Sequence, residues 1–297
     1  MLRMAIYGTV ALMVIGTVSD IGAAVDSKHE NTVQDIHIWP DKVPLEKSPK
    51  ADAEGTGTNG RLTRISKVTD PLLTVFSAKN SRTDAAVIVC PGGGYSMLSM
   101  RKEGYEIAGW LNRMGFTAFV LQYRVPKNPA GALCDAQRAW RVVHSRAKEW
   151  GINPNKIGMI GFSAGGSLTA RTCCHGDEPL YKAVDAADAV PVRPAFAMLI
   201  YPAYLDKGAG HSLTPEIKIS AHTPPMFMFA TADDHYSNSA IVMAGALRQA
   251  KISVEMHLYP KGGHGYGLRG NNVAGRTWPD LAQKWLQSMS LIPKKQQ

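Results

Sequence analysis

Residues 156–166 read K-I-G-M-I-G-F-S-A-G-G. Ile157, Met159 and Ile160 make a short apolar run, the pattern of a strand buried on both faces. Gly161, Ser163 and Gly165 follow it in the spacing G-x-S-x-G. The reason for that spacing is steric. A sharp strand-to-helix turn holds the serine in a strained conformation, and its flanks must pass closely without side chains. Such a turn exposes Ser163 Oγ at the carboxyl end of the strand and aims the Ala164 amide at the same spot. The small residues from Ala164 to Ala170 supply the helix that should follow.

Upstream, Ala85–Cys90 (AAVIVC) reads as a central strand, and Pro91-Gly92-Gly93-Gly94-Tyr95 follows it at once. Three successive glycines let the backbone approach a ligand and turn its N–H groups inward. A tetrahedral oxyanion needs donors fixed in advance in that way. The amides of this triple-glycine bend and of Ala164 are therefore the candidate donors. No G-x-G-x-x-G and no G-K-[ST] supports a phosphate loop here.

A serine hydroxyl needs a base, and the base needs an acid to hold it. Downstream, the strand Met226–Ala230 leads into Thr231-Ala232-Asp233-Asp234-His235. The strand Val254–Tyr259 leads into Lys261-Gly262-Gly263-His264-Gly265-Tyr266-Gly267. His264 sits among four glycines, unlike His175, His211, His222, His235 or His257, and is the candidate base. Asp233 and Asp234 are both candidates for the acid, the other being free to cap the next helix.

The intervening chain alternates strand and helix. Pro71–Ser77, Thr117–Tyr123 and Phe196–Ile200 read as strands. Glu103–Met114, Ile241–Ala250 and Thr277–Met289 read as helices, and Gly115 stops the first. Ala136, Ala139, Trp140, Val143, Ala147 and Trp150 trace the face of another helix, with Asp135 its candidate N-cap and Gly151 its stop. This alternation implies an α/β fold, a mostly parallel sheet with helices on both faces, in a single domain. Ile36–Trp39 reads as an edge strand and Ser48–Gly60 as an exposed loop. The segment Asp206–Thr223 reads as a loop at the pocket rim.

The chain has 297 residues and a formal net charge of +9. Arg3, the uncharged apolar run Met4–Val18 and Gly22-Ala23-Ala24 fit a signal peptide over residues 1–24. Residues 25–70 then form a lead-in and 71–297 the catalytic domain of a secreted or periplasmic protein, with no stable membrane insertion after cleavage. The basic balance suits a soluble surface or an acidic polymer such as a uronate-bearing polysaccharide. No Lys/Arg cluster interleaved with aromatics points to nucleic acid. Four cysteines are present, Cys90, Cys134, Cys173 and Cys174, without C-x-x-C or His-rich metal spacing. Export permits a disulfide from Cys134 to Cys173 or Cys174.

Together, PGGGY (91–95), DAQRAWR (135–141), GFSAGG (161–166), ADDH (232–235) and GGHGYG (262–267) resemble the α/β-hydrolase superfamily. Within it, the chain resembles secreted bacterial acetylxylan-esterase-like carbohydrate esterases and their hormone-sensitive-lipase-like relatives. Pro91 stands where the lipase-like group has histidine, which favours the carbohydrate-esterase side. The resemblance covers about Pro71–Leu286. It implies Ser163 as nucleophile, Asp234 as acid, His264 as base, and oxyanion donors from Gly93, Gly94 and Ala164. It implies a short-chain, acetyl-type ester as substrate, free or on a polysaccharide such as acetylated xylan. No metal or organic cofactor is expected. A serine exopeptidase of the same fold and a non-catalytic carbohydrate-binding relative are the competing expectations.

Overall fold

The computed structural model describes residues 34–58, 61–79 and 82–293. The expected signal peptide and the Lys294-Lys295 tail lie outside them. The strands of the main sheet are β1 (Gln34–His37), β4 (Leu72–Phe76), β5 (Ala86–Cys90), β6 (Thr117–Gln122), β7 (Ile157–Phe162), β8 (Ala197–Ile200), β9 (Met226–Thr231) and β10 (Val254–Tyr259). A separate ribbon pairs β2 (Glu54–Thr58) with β3 (Arg61–Lys67). The helices are α1 (Glu106–Met114), α2 (Pro129–Ser145), α3 (Ala164–Cys174), α4 (Ser237–Gln249) and α5 (Val273–Ser288).

The sheet runs β1-β4-β6-β5-β7-β8-β9-β10. Only β4 runs against its neighbours, pairing antiparallel with β1 and β6. The other neighbours are parallel, which the intervening helices make possible. Strands β5 to β9 from Ala86 onward are almost wholly buried, so they read as unbroken apolar runs.

Successive residues of a strand face opposite sides, and β9 shows what each side meets. Phe227 and Phe229 enter the core shared with Trp278 and Trp285 of α5. Met226 and Met228 enter the core shared with Cys173 of α3 and Met243 and Leu247 of α4. The sheet therefore carries helices on both faces.

Four expectations change, the first being that α2 ends at Ser145 and a separate 3-10 turn, Ala147–Trp150, carries Ala147 and Trp150 to the Gly151 stop. The segment Ser48–Gly60 is not wholly loop: Glu54–Thr58 forms the exposed strand β2, held by backbone pairing to β3 rather than by burial. Helix α2 begins six residues earlier than Asp135. Asn128 caps it, accepting from the Gly131 amide at 2.9 Å, with Pro129 in the first turn. Asp135 lies inside the helix and is fully buried. Its carboxylate accepts from Arg124 Nε and Nη2 at 2.9 and 2.8 Å and from Trp39 Nε1 at 2.8 Å. A buried charge needs such partners, and an N-cap would not have required them. Finally, all four cysteines are free thiols, and Cys134 Sγ points to the Leu180 carbonyl at 3.6 Å.

Among the described residues, no helix is long and apolar enough to cross a membrane.

Candidate active site

Strand β7 ends at Phe162, and Ser163 follows with φ +53° and ψ −118°. This is a costly conformation for a residue with a Cβ. The chain holds it by over-determination. The Ser163 amide donates to the Ile200 carbonyl, and its own carbonyl accepts from Ser167 and Ala203, each at 3.1 Å. Both flanking glycines are sterically required. A Cβ on Gly161 would lie 2.1 Å from the Gly165 carbonyl oxygen, and one on Gly165 would lie 2.0 Å from that of Cys90. Ser163 remains 9% exposed at the carboxyl ends of the strands.

His264 Nε2 meets Ser163 Oγ at 2.7 Å, and His264 Nδ1 meets Asp234 Oδ2 at 2.6 Å. The Asp234 side chain is 1% exposed, and its second oxygen accepts from the Tyr236 amide at 2.9 Å. The ring bonds Asp234 and not its neighbour Asp233. Asp233 does not cap α4 but accepts from the amides of Gly263 and Gly262 at 2.9 and 3.2 Å. Those bonds, the Gly263 amide foremost, hold the Asp233 carboxyl below its usual value. Thr231 Oγ1 and Asn272 Nδ2 bind the carbonyls of Gly263 and Gly262, both at 2.8 Å, and complete the support of the loop. The rings of Tyr201 and Tyr236 each lie 5.0 Å from the imidazole. His235 is exposed, and its ring meets that of Tyr236 edge-on.

The triple glycine turns above this group. Gly93 and Gly94 have φ +137° and +66°, and a Cβ on Gly93 would lie 2.0 Å from the Met97 carbonyl oxygen. The Gly92 amide is already engaged by Glu103 Oε2 at 2.9 Å. The amides of Gly93 and Gly94 make no bond to another described residue. Ala164 opens α3, where a first-turn amide has no intrahelical acceptor. The structure thus gathers all six residues singled out from the sequence at the ends of β5, β7, β9 and β10.

Four neighbours carry no local sequence signal. Glu103 and Tyr201 bond to each other at 2.9 Å beneath the glycines. Tyr204 and Tyr236, with rings 5.3 Å apart, continue the wall beside His264. Beyond them opens a cavity of about 410 Å³ between Tyr95, Leu133, Arg171 and Tyr204. Lys207 and Glu216, from the expected rim segment, line its edge, and Arg171 bonds Glu216 at 2.5 Å. Burial pushes the Tyr95 phenol up to about 12. Among the described residues, no group of three His, Cys, Asp or Glu side chains is arranged to hold a metal ion.

Chemically, the arrangement offers a nearly buried hydroxyl, a ring nitrogen placed to take its proton, and a buried carboxylate placed to fix the ring tautomer. Among the described residues, the amides of Gly93 and Gly94 are left free in the bend whose first glycine, Gly92, packs against Ser163.

A family model described as the alpha/beta hydrolase fold matches residues 87–221. An acetylxylan esterase of Xylanibacter ruminicola is 32% identical over 212 residues, which is 62% of this chain and 41% of that protein. An endo-1,4-beta-xylanase B of Butyrivibrio fibrisolvens is 28% identical over 60% of this chain and 32% of that protein. The chain therefore spans less than half the length of either relative. The crystal structure of an acetyl ester-xyloside bifunctional hydrolase from Caldicellulosiruptor lactoaceticus superposes with a TM-score of 0.71 at 30% identity. That match covers 87% of this chain and 97% of the other. With the sheet, the elbow and near-complete coverage of that solved relative in agreement, the chain belongs to the α/β-hydrolase family.

Proposed function

We propose that this protein is a serine carboxylic-ester hydrolase that removes short acyl groups, acetyl foremost, from the hydroxyls of plant polysaccharide such as acetylated xylan. The observation that carries the reading is the continuous contact from Ser163 Oγ through the His264 ring to the buried Asp234 carboxylate. The names of the similar proteins, an acetylxylan esterase and an acetyl ester-xyloside hydrolase, support the substrate class.

His264 Nε2 takes the Ser163 proton as Oγ attacks the ester carbonyl. Asp234 holds Nδ1–H and stabilises the imidazolium that forms. The carbonyl oxygen becomes an oxyanion under the amides of Gly93, Gly94 and Ala164, each donor being worth about 3 kcal/mol of barrier. His264 then protonates the leaving alcohol, and an acyl-Ser163 remains. Water, deprotonated by His264, attacks that ester. Collapse returns the proton to Oγ and frees the acid. The leader-like residues 1–24 support action outside the cytoplasm.

The test is turnover of aryl esters of increasing acyl length and of acetylated xylan. Acetate should be the best acyl group, and Ser163→Ala should abolish turnover. Undiminished turnover by Ser163→Ala would refute the assignment.

A further inference from the structure

Glu103 is a buried carboxylate that the proposed ester chemistry does not use. It sits on the π-helical turn Arg101–Tyr105 that runs into α1, and it is 3% exposed. Taking a carboxylate out of water is costly unless its oxygens are satisfied. Both are satisfied, and by two different loops. Oε2 accepts from the Gly92 amide at 2.9 Å. Oε1 accepts from the Tyr201 hydroxyl at 2.9 Å, and the Tyr201 oxygen accepts in turn from the Gly267 amide at 3.0 Å. Gly92 opens the glycine bend, and Gly267 lies three residues past His264.

A continuous path therefore runs from Gly92 through Glu103 and Tyr201 to Gly267. Its ends are the loop that presents the free amides and the loop that presents the imidazole. Contacts beside the path tighten it. Lys102 Nζ donates to the Gly265 carbonyl at 2.6 Å and lies 3.9 Å from Glu103 Oε1. The Tyr201 ring meets His264 edge-on. Gly92 is closed in on both sides, since a Cβ there would lie 2.7 Å from Glu103 Oε2 and 2.9 Å from Ser163 Cβ. Burial raises the Glu103 carboxyl above its ordinary value, while Lys102, the Tyr201 hydroxyl, the Gly92 amide and His264 pull it back down.

We propose that Glu103 and Tyr201 form a positioning strut that sets the distance between the glycine bend and the His264 loop. Donors and base then meet the same tetrahedral adduct in register. The strut rests on the ester-hydrolase reading above. It acts on the transition state more than on substrate affinity, because the amides it places bind an oxygen whose charge develops only during attack. Both oxygens of residue 103 must accept. A glutamine offers one acceptor and turns an N–H toward a donor or toward an oxygen that is already occupied. Phenylalanine at 201 removes the link to Gly267 and keeps the ring.

The experiment uses the wild type, Glu103→Gln, Tyr201→Phe and the double variant. It measures kcat and KM on an aryl acetate, affinity for an alkylboronic acid that mimics the tetrahedral adduct, and the unfolding midpoint. Ser163 labelling of the wild type by a fluorophosphonate comes first. An unlabelled wild type would count against the hydrolase reading itself. With labelling established, each single variant should lose about 10- to 100-fold in kcat, and KM should change less than about threefold. Boronate affinity should fall with kcat. The double variant should be no slower than the worse single, since both changes cut one path. Folded variants that keep full kcat would overturn the strut. So would losses that multiply in the double variant, or a lower midpoint with unchanged boronate affinity. Tyr201→Phe deletes a single oxygen and carries the kcat and boronate readings alone if Glu103→Gln does not fold.

Discussion

His264 Nε2 lies 2.7 Å from Ser163 Oγ, although 101 positions of chain separate the two residues. Two further strands, β8 and β9, stand between the strands that deliver them. The loop after β10 must reach back over both. It does so on supports from Asp233, Thr231, Asn272 and Lys102.

The two adjacent aspartates should separate cleanly in kinetics. Asp234→Asn leaves the shape intact but removes the charge that fixes the ring tautomer, so kcat should fall by a factor on the order of 10³–10⁴ with KM little changed. Asp233→Asn still offers one acceptor to the loop amides, and its kcat should fall less than about tenfold. Steady-state kinetics on an aryl acetate checks both. Equal losses would contradict the distinct contacts of the two side chains.

Gly161→Ala and Gly165→Ala should fail by folding. The added methyl would stand about 2 Å from backbone oxygen that cannot yield. Each should cost more than about 3 kcal/mol, above the usual penalty for an overpacked site. Denaturant unfolding or loss of soluble protein measures it. A variant as stable as the wild type would show that the turn tolerates a side chain.

The cavity beside Tyr204 should matter only to large substrates. Ala130 is exposed on the first turn of α2 and lines the cavity. Ala130→Trp should fill the opening without disturbing Ser163. KM for an acetylated xylo-oligosaccharide should rise about fivefold or more, and KM for a small aryl acetate should stay within about twofold. Equal KM values on the oligosaccharide would exclude this cavity as the sugar-holding side.

Stability should respond to acid through Asp185. Its carboxylate bonds the buried Arg138 guanidinium at 2.7 and 2.5 Å, and those bonds hold it below the ordinary carboxylate value. A depressed folded pKa means that the unfolded chain takes up the proton first. The contribution is therefore complete above about pH 4 and is lost as pH falls through the lower folded value. Asp185 is 44% exposed, so solvent screening keeps the loss in Asp185→Asn near 1 kcal/mol at neutral pH. The difference from wild type should be flat from about pH 5 to 8 and should shrink steadily as pH falls below about 4. A difference that does not shrink there would mean that the ion pair is not its source.

Local steric demands made much of this legible in sequence. The elbow shows because a positive-φ serine needs glycine on both sides, and the glycine bend shows because positive φ and the nearby Met97 carbonyl leave no room for a Cβ at Gly93. Cross-chain partnerships did not show. Asp135 looks like a cap by position, and only the arrival of Arg124 and Trp39 makes it a core residue. Glu103 and Tyr201 are 98 positions apart, and neither sits in a pattern that distinguishes it from a helix start or a strand end. The choice between Asp233 and Asp234 depends on the torsion of one turn, which composition does not record. The ribbon β2–β3 escaped because backbone bonds, not apolar periodicity, hold it.

Covalent capture of the hydroxyl is the most direct measurement. The protein is treated with a fluorophosphonate and the modified peptide is mapped by mass spectrometry, with the labelling rate compared in wild type, His264→Ala and Ser163→Ala. The account predicts one adduct, on Ser163, with its rate down by at least about a hundredfold in His264→Ala and no adduct in Ser163→Ala. An adduct on another residue, or a His264→Ala rate equal to wild type, would contradict it.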